Sequence, residues 1–373
     1  MHRTWAEIDL SRIAANFHAL QAVVGPDVTL SPVVKADAYR HGAIPVAVRL
    51  AAEGAARFAV SCAAEGVQLR EAGLTHPILV MGGFAPFEME ALAGFHLTPV
   101  IHSLAVLRDY DAFARARSTR LPYHLKVDTG MGRLGTRAEL RDIIDAIGGA
   151  ANLQLAGLMS HLASATDFTT SQTADQIRGF ESIRLSLQQA GIEPPFYHLS
   201  SSAPIVFGMK PVFGNMVRPG LALYGYVSPA TGDAPPVAAR LSPALTWRAR
   251  ILEIKEISPG APVGYSARWR AERPSRLAVV AAGYADGIPH TLSNKGHVVA
   301  AGRIVPITGA VSMDLTSIDI TDCQGLHPGA AVTLIGAEGD ASYSAEDMAR
   351  EAGVISYSVL CGIGNRVART YLD

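Results

Sequence analysis

The stretch LSPVVKADAYRHGAIPVAVRLAAE, residues 30–53, contains the pattern from which the fold follows. It opens with an apolar run at 30–34, passes through a turn, and continues with apolar residues at helical spacing over 43–53. A short apolar run rich in β-branched residues favours a buried strand, and the later spacing favours an amphipathic helix. The stretch therefore predicts one β-strand followed by one α-helix.

The same pattern recurs along the first 225 or so residues. Apolar runs lie at 30–34, 57–60, 77–81, 97–101, 123–127, 153–159, 197–199 and 215–218, and helical spacing at 43–53, 103–117, 137–147 and 173–189. Strands that alternate with helices pair in parallel, because a parallel neighbour needs a crossover connection. Eight such units predict a closed (β/α)8 TIM-like barrel. An open doubly wound sheet is the competitor, but no GxGxxG follows an early strand.

The residue composition changes over residues 227–243, where prolines at 229, 235, 236 and 243 disfavour a continuous helix. Beyond this segment, strands are expected at 245–257, 276–282, 296–308, 311–321 and 331–335. A helix is expected at 345–352, with Ser344 as N-cap and Asp347 in a capping-box position. The predicted fold class is thus α/β, with a barrel at 1–230 and a mainly β domain at 231–373. Residues 4–10 alternate like a strand that pairs with the second domain.

Composition narrows the function classes. Of the 373 residues, 49% are hydrophobic and the formal net charge is −1, so no overall field recruits nucleic acid or an anionic membrane. No segment reaches the roughly 18 continuous apolar residues of a membrane span, and Glu7 and Asp9 interrupt any secretion signal. Cys62, Cys323 and Cys361 lack the spacing of a disulfide framework or a zinc site, which fits a reducing cytoplasm and no metal.

A lysine ends the first apolar run. Lys35 follows a strand in VVKADAYRHG, at the end of the barrel where catalytic groups sit. A solvent-facing lysine is the alternative reading, but desolvation would lower its pKa and make a neutral amine for a Schiff base. Tyr39 would reach the same cavity from the next turn.

HLKVDTGMGRLG, residues 124–135, places His124, Lys126 and Asp128 on one face of a strand and then turns through glycines around Arg133. A salt-bridged strand edge is the alternative reading. The turn lacks the GK[ST] ending of a P-loop, so nucleotide binding is not expected.

The loops after strands six, seven and eight carry further polar groups. His161 follows strand six, and Ser202, Gly220 and Leu221 lie where barrels often bind phosphate with hydroxyls and backbone amides. A lysine on strand one together with a phosphate site on strands seven and eight indicates pyridoxal 5′-phosphate (PLP).

In these residues and the motifs around them, the chain resembles the bacterial alanine racemases. Those proteins are PLP-dependent enzymes with a barrel and a β-domain. The resemblance runs from TWAEIDLSRIAANF at residues 4–17 to GNRVARTYLD at residues 364–373. Its other motifs are VVKADAYRHG, HLKVDTGMGRLG, MSHLASA, NMVRPGLALYG, VGYSARW, GYADGIPH and GAVSMDLTSIDIT.

The resemblance implies a role for each matching residue. Lys35 holds the cofactor covalently and is one base, Tyr265 is the second base, and Arg218 faces the pyridine nitrogen. Arg133 and the backbone amide of Met313 receive the substrate carboxylate. The remaining cofactor-binding residues are Tyr39, His161, Ser202, Gly220, Leu221 and Tyr357, with Ser201 as the alternative to Ser202, and His198, Asp314, Tyr284 and Lys126 support the site.

Tyr265 and Met313 would come from the neighbouring subunit, so the resemblance implies a head-to-tail homodimer with shared active sites. It also implies interconversion of L- and D-alanine for cell-wall peptidoglycan. The alternatives are an amino acid decarboxylase of similar fold, a serine or broad-specificity racemase, a single-barrel PLP-binding protein, and a lysine aldolase barrel without PLP.

At three positions the resemblance leaves an alternative open or the chain departs from the family pattern. In some relatives the lysine that matches Lys126 is carbamylated by CO2, and the alternative is an unmodified lysine paired with an acidic side chain. Ser312 stands where the family often has cysteine, and Asn365 stands where some members have an aromatic residue.

Overall fold

The computed structural model describes residues 2–373. Its contacts divide them into two compact units. The first, the barrel unit, contains Arg12–Ala38 and Ala43–Ser242. The second, the sheet unit, contains Tyr39–Gly42, Pro243–Asp373 and the described residues up to Ser11.

The strands of the described residues are numbered in chain order. They are β1 (Thr4–Asp9), β2 (Thr29–Leu30), β3 (Phe58–Val60), β4 (Ile78–Val80), β5 (Thr98–Ile101), β6 (Leu121–Lys126), β7 (Leu153–Met159), β8 (Phe196–His198), β9 (Met216–Val217), β10 (Leu245–Ile257), β11 (Pro262–Val263), β12 (Trp269–Arg270), β13 (Ser275–Val280), β14 (His297–Ala300), β15 (Arg303–Thr308), β16 (Thr316–Asp319), β17 (Ala331–Glu338), β18 (Ala341–Tyr343) and β19 (Ala368–Leu372).

The α-helices span Leu10–Val24, Ala43–Ala52, Ala63–Glu71, Met89–Gly94, Leu104–Ala116, Leu140–Gly149, Gln172–Gln189, Ser202–Val206, Ala345–Ala352 and Ser356–Gly362. Short 3-10 helices lie at Pro86–Glu88, Lys210–Val212, Leu221–Tyr224, Tyr265–Ala267 and His290–Leu292. The five-residue turn Lys35–Tyr39 is left-handed and is described with the site.

The barrel unit contains the predicted eight-stranded parallel barrel. β3 to β8 form a six-stranded sheet in sequence order, and β2 pairs in parallel with β9. Two junctions close the ring. Val33 bridges to Ala59 beside β3, and the amide of Arg218 donates to the carbonyl of Ser200 at 3.1 Å beside β8. Each of the eight apolar runs coincides with one barrel strand, so the prediction of a closed barrel is confirmed.

The helices of the barrel unit cover the strands as expected, with one shift. The helix predicted at 137–147 begins at Leu140, because Thr136 first pairs in parallel with Val127 and its hydroxyl accepts from the amide of Ala138 at 3.1 Å. A threonine hydroxyl that bonds a nearby amide competes with helix formation.

The sheet unit is mainly β. Its nine-stranded sheet has the order β18-β17-β14-β15-β16-β13-β10-β1-β19, and β17 also pairs with β10. β1 pairs antiparallel with β10 and parallel with β19, so the predicted pairing of residues 4–10 with the second domain is confirmed. The helix Ala345–Ala352 also has the predicted capping box of Ser344 and Asp347.

Two predicted strands of this unit are wrong in detail. Residues 296–308 form the hairpin β14-β15, because Ala301 and Gly302 both adopt positive φ, as a tight primed turn requires. Of residues 311–321, only Thr316–Asp319 is strand. The preceding segment is a loop closed by the amide of Ser312, which donates to the carbonyl of Leu315 at 2.9 Å.

Candidate active site

Lys35 stands where the first barrel strand gives way to an unusual turn. Ala36, Asp37 and Ala38 have φ of 52°, 54° and 54°, so the chain makes a left-handed turn of L-residues. Such a conformation costs about 1–2 kcal/mol per residue. Strain of this kind persists where the surrounding structure holds it, which is common at functional sites.

Two carboxylates hold this turn. Glu65 accepts hydrogen bonds from the backbone amides of Ala36 and Ser61, each at 2.7 Å. Asp37 accepts one from the amide of Ala43 at 2.7 Å, which ties the turn to the start of the next helix. Sequence reasoning missed Glu65, because its partners Ala36 and Ser61 lie in the segments that follow two different barrel strands.

Arg218 is a buried cation with an incomplete set of partners. Its Nη1 donates to Nδ1 of His198 at 2.5 Å and to that residue's carbonyl at 3.0 Å. Its Nη2 donates to the carbonyls of Ser160 at 2.9 Å and Leu199 at 3.2 Å, and lies 3.4 Å from Nδ1 of His161. Among residues 2–373, no acceptor bonds Nε, so one N–H of the guanidinium remains for a ligand.

Burial shapes the protonation of this cluster. Desolvation lowers the pKa of Arg218 to about 9. It also lowers the pKa of His161 to about 3, with Arg218 and Lys126 as further causes. Desolvation and Arg218 also lower the pKa of His198. The imidazoles of His161 and His198 are therefore both neutral, and they border a guanidinium that still carries its charge at neutral pH.

A second donor cluster lies beside β9. The hydroxyl of Ser202 accepts from the amides of Gly220 at 2.9 Å and Ala222 at 3.2 Å, at the start of the 3-10 helix Leu221–Tyr224. Ser202 is buried, whereas Ser201 is only half-buried. Backbone amides and a hydroxyl that converge in this way are the donors that a phosphate group prefers.

Lys126 ends β6 in a buried position, 3% exposed. Desolvation, Arg218 and Arg133 together lower its pKa to about 8. Asp128 does not neutralise it, because that carboxylate accepts from the amides of Gly130, Met131 and Gly132 and pairs with Arg137 at 2.8 Å. In the part of the chain that the structure describes, Lys126 has no ion-pair partner.

The sheet unit presents the remaining predicted residues on its surface. Tyr265, in the 3-10 helix Tyr265–Ala267, is 73% exposed, and Met313 is 53% exposed. Tyr284 is also exposed, and its amide donates to the carbonyl of Ser312 at 2.9 Å. These side chains are unusually exposed for apolar and aromatic groups, as expected of an interaction surface.

The loop that carries Met313 is held by an ion-pair network. Arg366 pairs with Asp286 at 3.0 Å and with Asp314 at 2.8 Å. A Cβ on Gly283 would lie 2.3 Å from the carbonyl oxygen of Ser312, so only glycine permits this approach of the two loops. Asp286 and Arg366 were missed by sequence reasoning.

Tyr39 and Tyr357 meet within the sheet unit, with ring centroids 6.0 Å apart. Arg40 donates to Oδ1 of Asn365 at 2.9 Å, so this departure from the family pattern binds an arginine. Residues 2–373 contain no group of three or more side chains suited to a metal ion. Nor do they contain a helix long and apolar enough to cross a membrane.

The barrel unit thus combines a lysine at a strand end, a phosphate-type donor cluster and a buried arginine with one N–H left over. These features define a PLP-dependent barrel enzyme. Family models agree: the alanine racemase N-terminal domain matches residues 8–229 and the alanine racemase C-terminal domain matches residues 244–371. The chain belongs to the alanine racemase family.

Individual relatives support this assignment. The chain is 40% identical to the alanine racemase of Halothermothrix orenii over 99% of its own length and 96% of that protein. It is 40% identical to the alanine racemase of Synechocystis over 98% of each chain.

Solved structures agree as well. The alanine racemase of Streptomyces lavendulae superimposes with a TM-score of 0.92 at 30% identity, covering 100% of this chain and 98% of that one. The Bartonella henselae alanine racemase with covalently bound pyridoxal phosphate has a TM-score of 0.88 at 31% identity, with both chains fully covered at 100%.

Proposed function

We propose that this chain is a PLP-dependent isomerase that interconverts L-alanine and D-alanine, with Lys35 and Tyr265 as its two bases. The observation that carries the proposal is the position of Lys35, on a left-handed turn at the end of the first barrel strand, in a member of the alanine racemase family. The product D-alanine would serve cell-wall peptidoglycan.

The residues present fit the cofactor. The hydroxyl of Ser202 and the amides beside it suit its phosphate. The resemblance to the family adds Tyr39 and Tyr357 as phosphate partners. The spare N–H of Arg218 suits an unprotonated pyridine nitrogen, because a guanidinium can only donate. When bound, PLP supplies an electron-withdrawing ring that makes the Cα hydrogen of an attached amino acid acidic.

Racemisation removes a proton from one face of Cα and returns one to the other face. Lys35 would serve the face that bears hydrogen in the D-isomer, and Tyr265 of the partner subunit the face that bears hydrogen in the L-isomer. A tyrosine is a weak base at its usual pKa of about 10. His161 would support it: the neutral ring faces Arg218 with Nδ1, which accepts, so its proton is on Nε2 and can be donated to the phenolate oxygen of Tyr265.

The substrate carboxylate would be bound by Arg133 and by the backbone amide of Met313 from the partner subunit. The network around Arg366 and Asp286 orders the Met313 loop, with Asp314 and Tyr284 as supporting residues. A carbamate on Lys126 would hold Arg133 by a charge-assisted hydrogen bond.

The positions of the proposed site residues give each domain a role. Residues 1–230 would bind PLP, and residues 231–373 would contribute to the active site of the partner subunit in a head-to-tail homodimer. The exposure of Tyr265 and Met313 in the single chain supports this arrangement. Free cysteines throughout the described residues and a net charge of −1 support a cytoplasmic protein with no nucleic-acid partner.

The second candidate is an amino acid decarboxylase. Arg218 argues against it, because an acidic residue facing the pyridine nitrogen would be expected for stabilising a long-lived carbanion. The third is a serine or broad-specificity racemase, since a small apolar pocket rejects one added hydroxyl by only about 100-fold.

One experiment separates these candidates. The purified protein is given L-alanine and L-serine, and the D-isomers are followed by chiral chromatography while CO2 is measured. We expect D-alanine to form fastest, with a visible absorbance band of the lysine-linked cofactor and no CO2. Release of CO2, or a preference for serine, would replace the proposal with one of its competitors.

A further inference from the structure

Three buried side chains form a row inside the barrel unit. Arg218 donates from Nη1 to Nδ1 of His198 at 2.5 Å, and Nε2 of His198 lies 2.7 Å from Nδ1 of His124. The three are 2%, 0% and 2% exposed, respectively. The proposed mechanism uses Arg218, and the resemblance names His198 as a supporting residue, but neither gives His124 a role.

The arginine determines the direction of every hydrogen bond in the row. A guanidinium only donates, so Nδ1 of His198 must be an acceptor without a proton. A neutral imidazole carries its proton on the other nitrogen, so Nε2 of His198 donates to Nδ1 of His124. His124 must therefore also be unprotonated at Nδ1.

The surroundings keep both rings neutral. Desolvation, Arg57 and Arg218 together lower the pKa of His124 to about 3. Desolvation, Arg218, His124 and Arg57 likewise lower the pKa of His198. The guanidinium of Arg57 lies 3.8 Å from the ring centroid of Phe196, on which the His124 ring is stacked.

The position of His124 is built into the barrel. A Cβ on Gly157, the partner of His124 in β7, would lie 2.3 Å from Nδ1 of His124. Any other residue at 157 would therefore displace the imidazole from His198. The register of the two strands shifts between Tyr123 and His124, directly before this glycine-histidine pair.

We propose that His124 is a positioning residue: by accepting from Nε2–H of His198 it stabilises the tautomer that Arg218 requires and, through it, the orientation of the Arg218 guanidinium. The proposal rests on the proposed function, in which Arg218 donates to the pyridine nitrogen. Without an acceptor at 124, Nε2–H of His198 is left buried and unpaired. The alternative tautomer would point Nδ1–H at the N–H groups of Arg218 and push the guanidinium away.

The test compares two variants of nearly equal shape. His124→Asn places an amide oxygen near the position of Nδ1 and keeps the acceptor. His124→Leu places a methyl group there and removes it. Both are prepared as holoenzymes with PLP occupancy and melting temperature recorded, so that a folding defect is visible.

The first measurement is the 15N NMR spectrum of histidine-labelled holoenzyme, with the His198 signals assigned by their loss in His198→Gln. In the wild type we expect an unprotonated Nδ1 and a protonated Nε2 at His198, and an unprotonated Nδ1 at His124. The opposite tautomer of either residue in the wild-type holoenzyme would overturn the proposal.

The second measurement is steady-state racemisation together with the absorbance of the bound cofactor. We expect His124→Leu to lower kcat by about 10- to 100-fold, as removal of a supporting hydrogen-bond partner typically does. Its KM for alanine should stay unchanged and its cofactor absorbance should shift, whereas His124→Asn should restore both kcat and spectrum. Equal behaviour of the two variants would contradict the positioning role.

Failure of the proposed function gives a different result. If the wild type lacks racemase activity, the proposed function is wrong, while the tautomers of His198 and His124 still decide whether the hydrogen-bonded row exists as inferred.

Discussion

Arg366 donates two hydrogen bonds to Asp286, from Nε to Oδ1 at 3.1 Å and from Nη2 to Oδ2 at 3.0 Å. The carboxylate of Asp286 is buried, and its Oδ2 also accepts from the amide of Gly283 at 2.9 Å. The amide of Ala285 in turn donates to the carbonyl of Met313 at 3.0 Å. The arginine thereby stabilises the loop whose backbone amide is proposed to bind the substrate carboxylate.

Arg366→Ala should therefore raise the KM for alanine more than it lowers kcat, because a shifted Met313 amide weakens carboxylate binding. The variant should also melt earlier, since a buried carboxylate loses its counterion. Steady-state kinetics and thermal melting check both effects. Arg273→Ala is the matched control, since it removes an arginine from an exposed pair with Asp322. If both variants behave alike, the loop does not depend on Arg366.

Lys35→Ala should abolish racemisation in both directions, because the lysine is both the attachment point of the cofactor and one of the bases. Chiral analysis started from L-alanine and from D-alanine measures each direction. Substantial activity without an added amine would show that another group is the base.

Tyr265→Phe should slow racemisation by about 100- to 10,000-fold, the usual contribution of one general base. Exchange of the Cα hydrogen of D-alanine with D2O uses Lys35 and should survive better than exchange from L-alanine. Proton NMR of each isomer measures the two exchanges separately. Equal loss of both would rule out one base on each face.

Mixed dimers test the sharing of active sites. Lys35→Ala and Tyr265→Phe should each be nearly inactive alone. After dissociation and reassociation of a mixture, a heterodimer in which each site takes one residue from each chain has one complete site. Activity should therefore reappear, up to about a quarter of the wild-type level from random pairing. If mixing restores nothing although heterodimers form, Tyr265 does not act across the interface.

Lys126 should be carbamylated. Its depressed pKa of about 8 leaves a neutral amine available to CO2 at mildly alkaline pH, and Arg133 and Arg218 are the cations that lower the pKa of the unmodified lysine. They would stabilise a carbamate in its place. Incubation with 13C-bicarbonate should give a carbamate resonance in the wild type that is absent from Lys126→Ala. A high-resolution density map that shows a bare ammonium, with Arg133 in its binding orientation, would contradict this expectation.

Local sequence patterns determined much of the fold of this protein. The eight apolar runs, the pairing of residues 4–10 and the capping box of Ser344 and Asp347 could be predicted because each depends on the period or spacing of neighbouring residues. The position of Lys35 at a strand end followed from the same pattern, and so did the candidates Tyr39, Lys126, Arg133, His161, Ser202, Gly220 and Leu221. The resemblance to a known family supplied the other candidates, among them Tyr265 and Met313.

Tertiary structure alone decided which distant groups meet. Asp286 and Arg366 are 80 residues apart in the chain, and His124 and His198 are 74 apart, so no spacing rule connects them. The left-handed turn after Lys35 is also invisible to propensity, because its residues disfavour positive φ. It is stabilised by Glu65, which contacts Ala36 only because parallel pairing in the barrel brings their segments together.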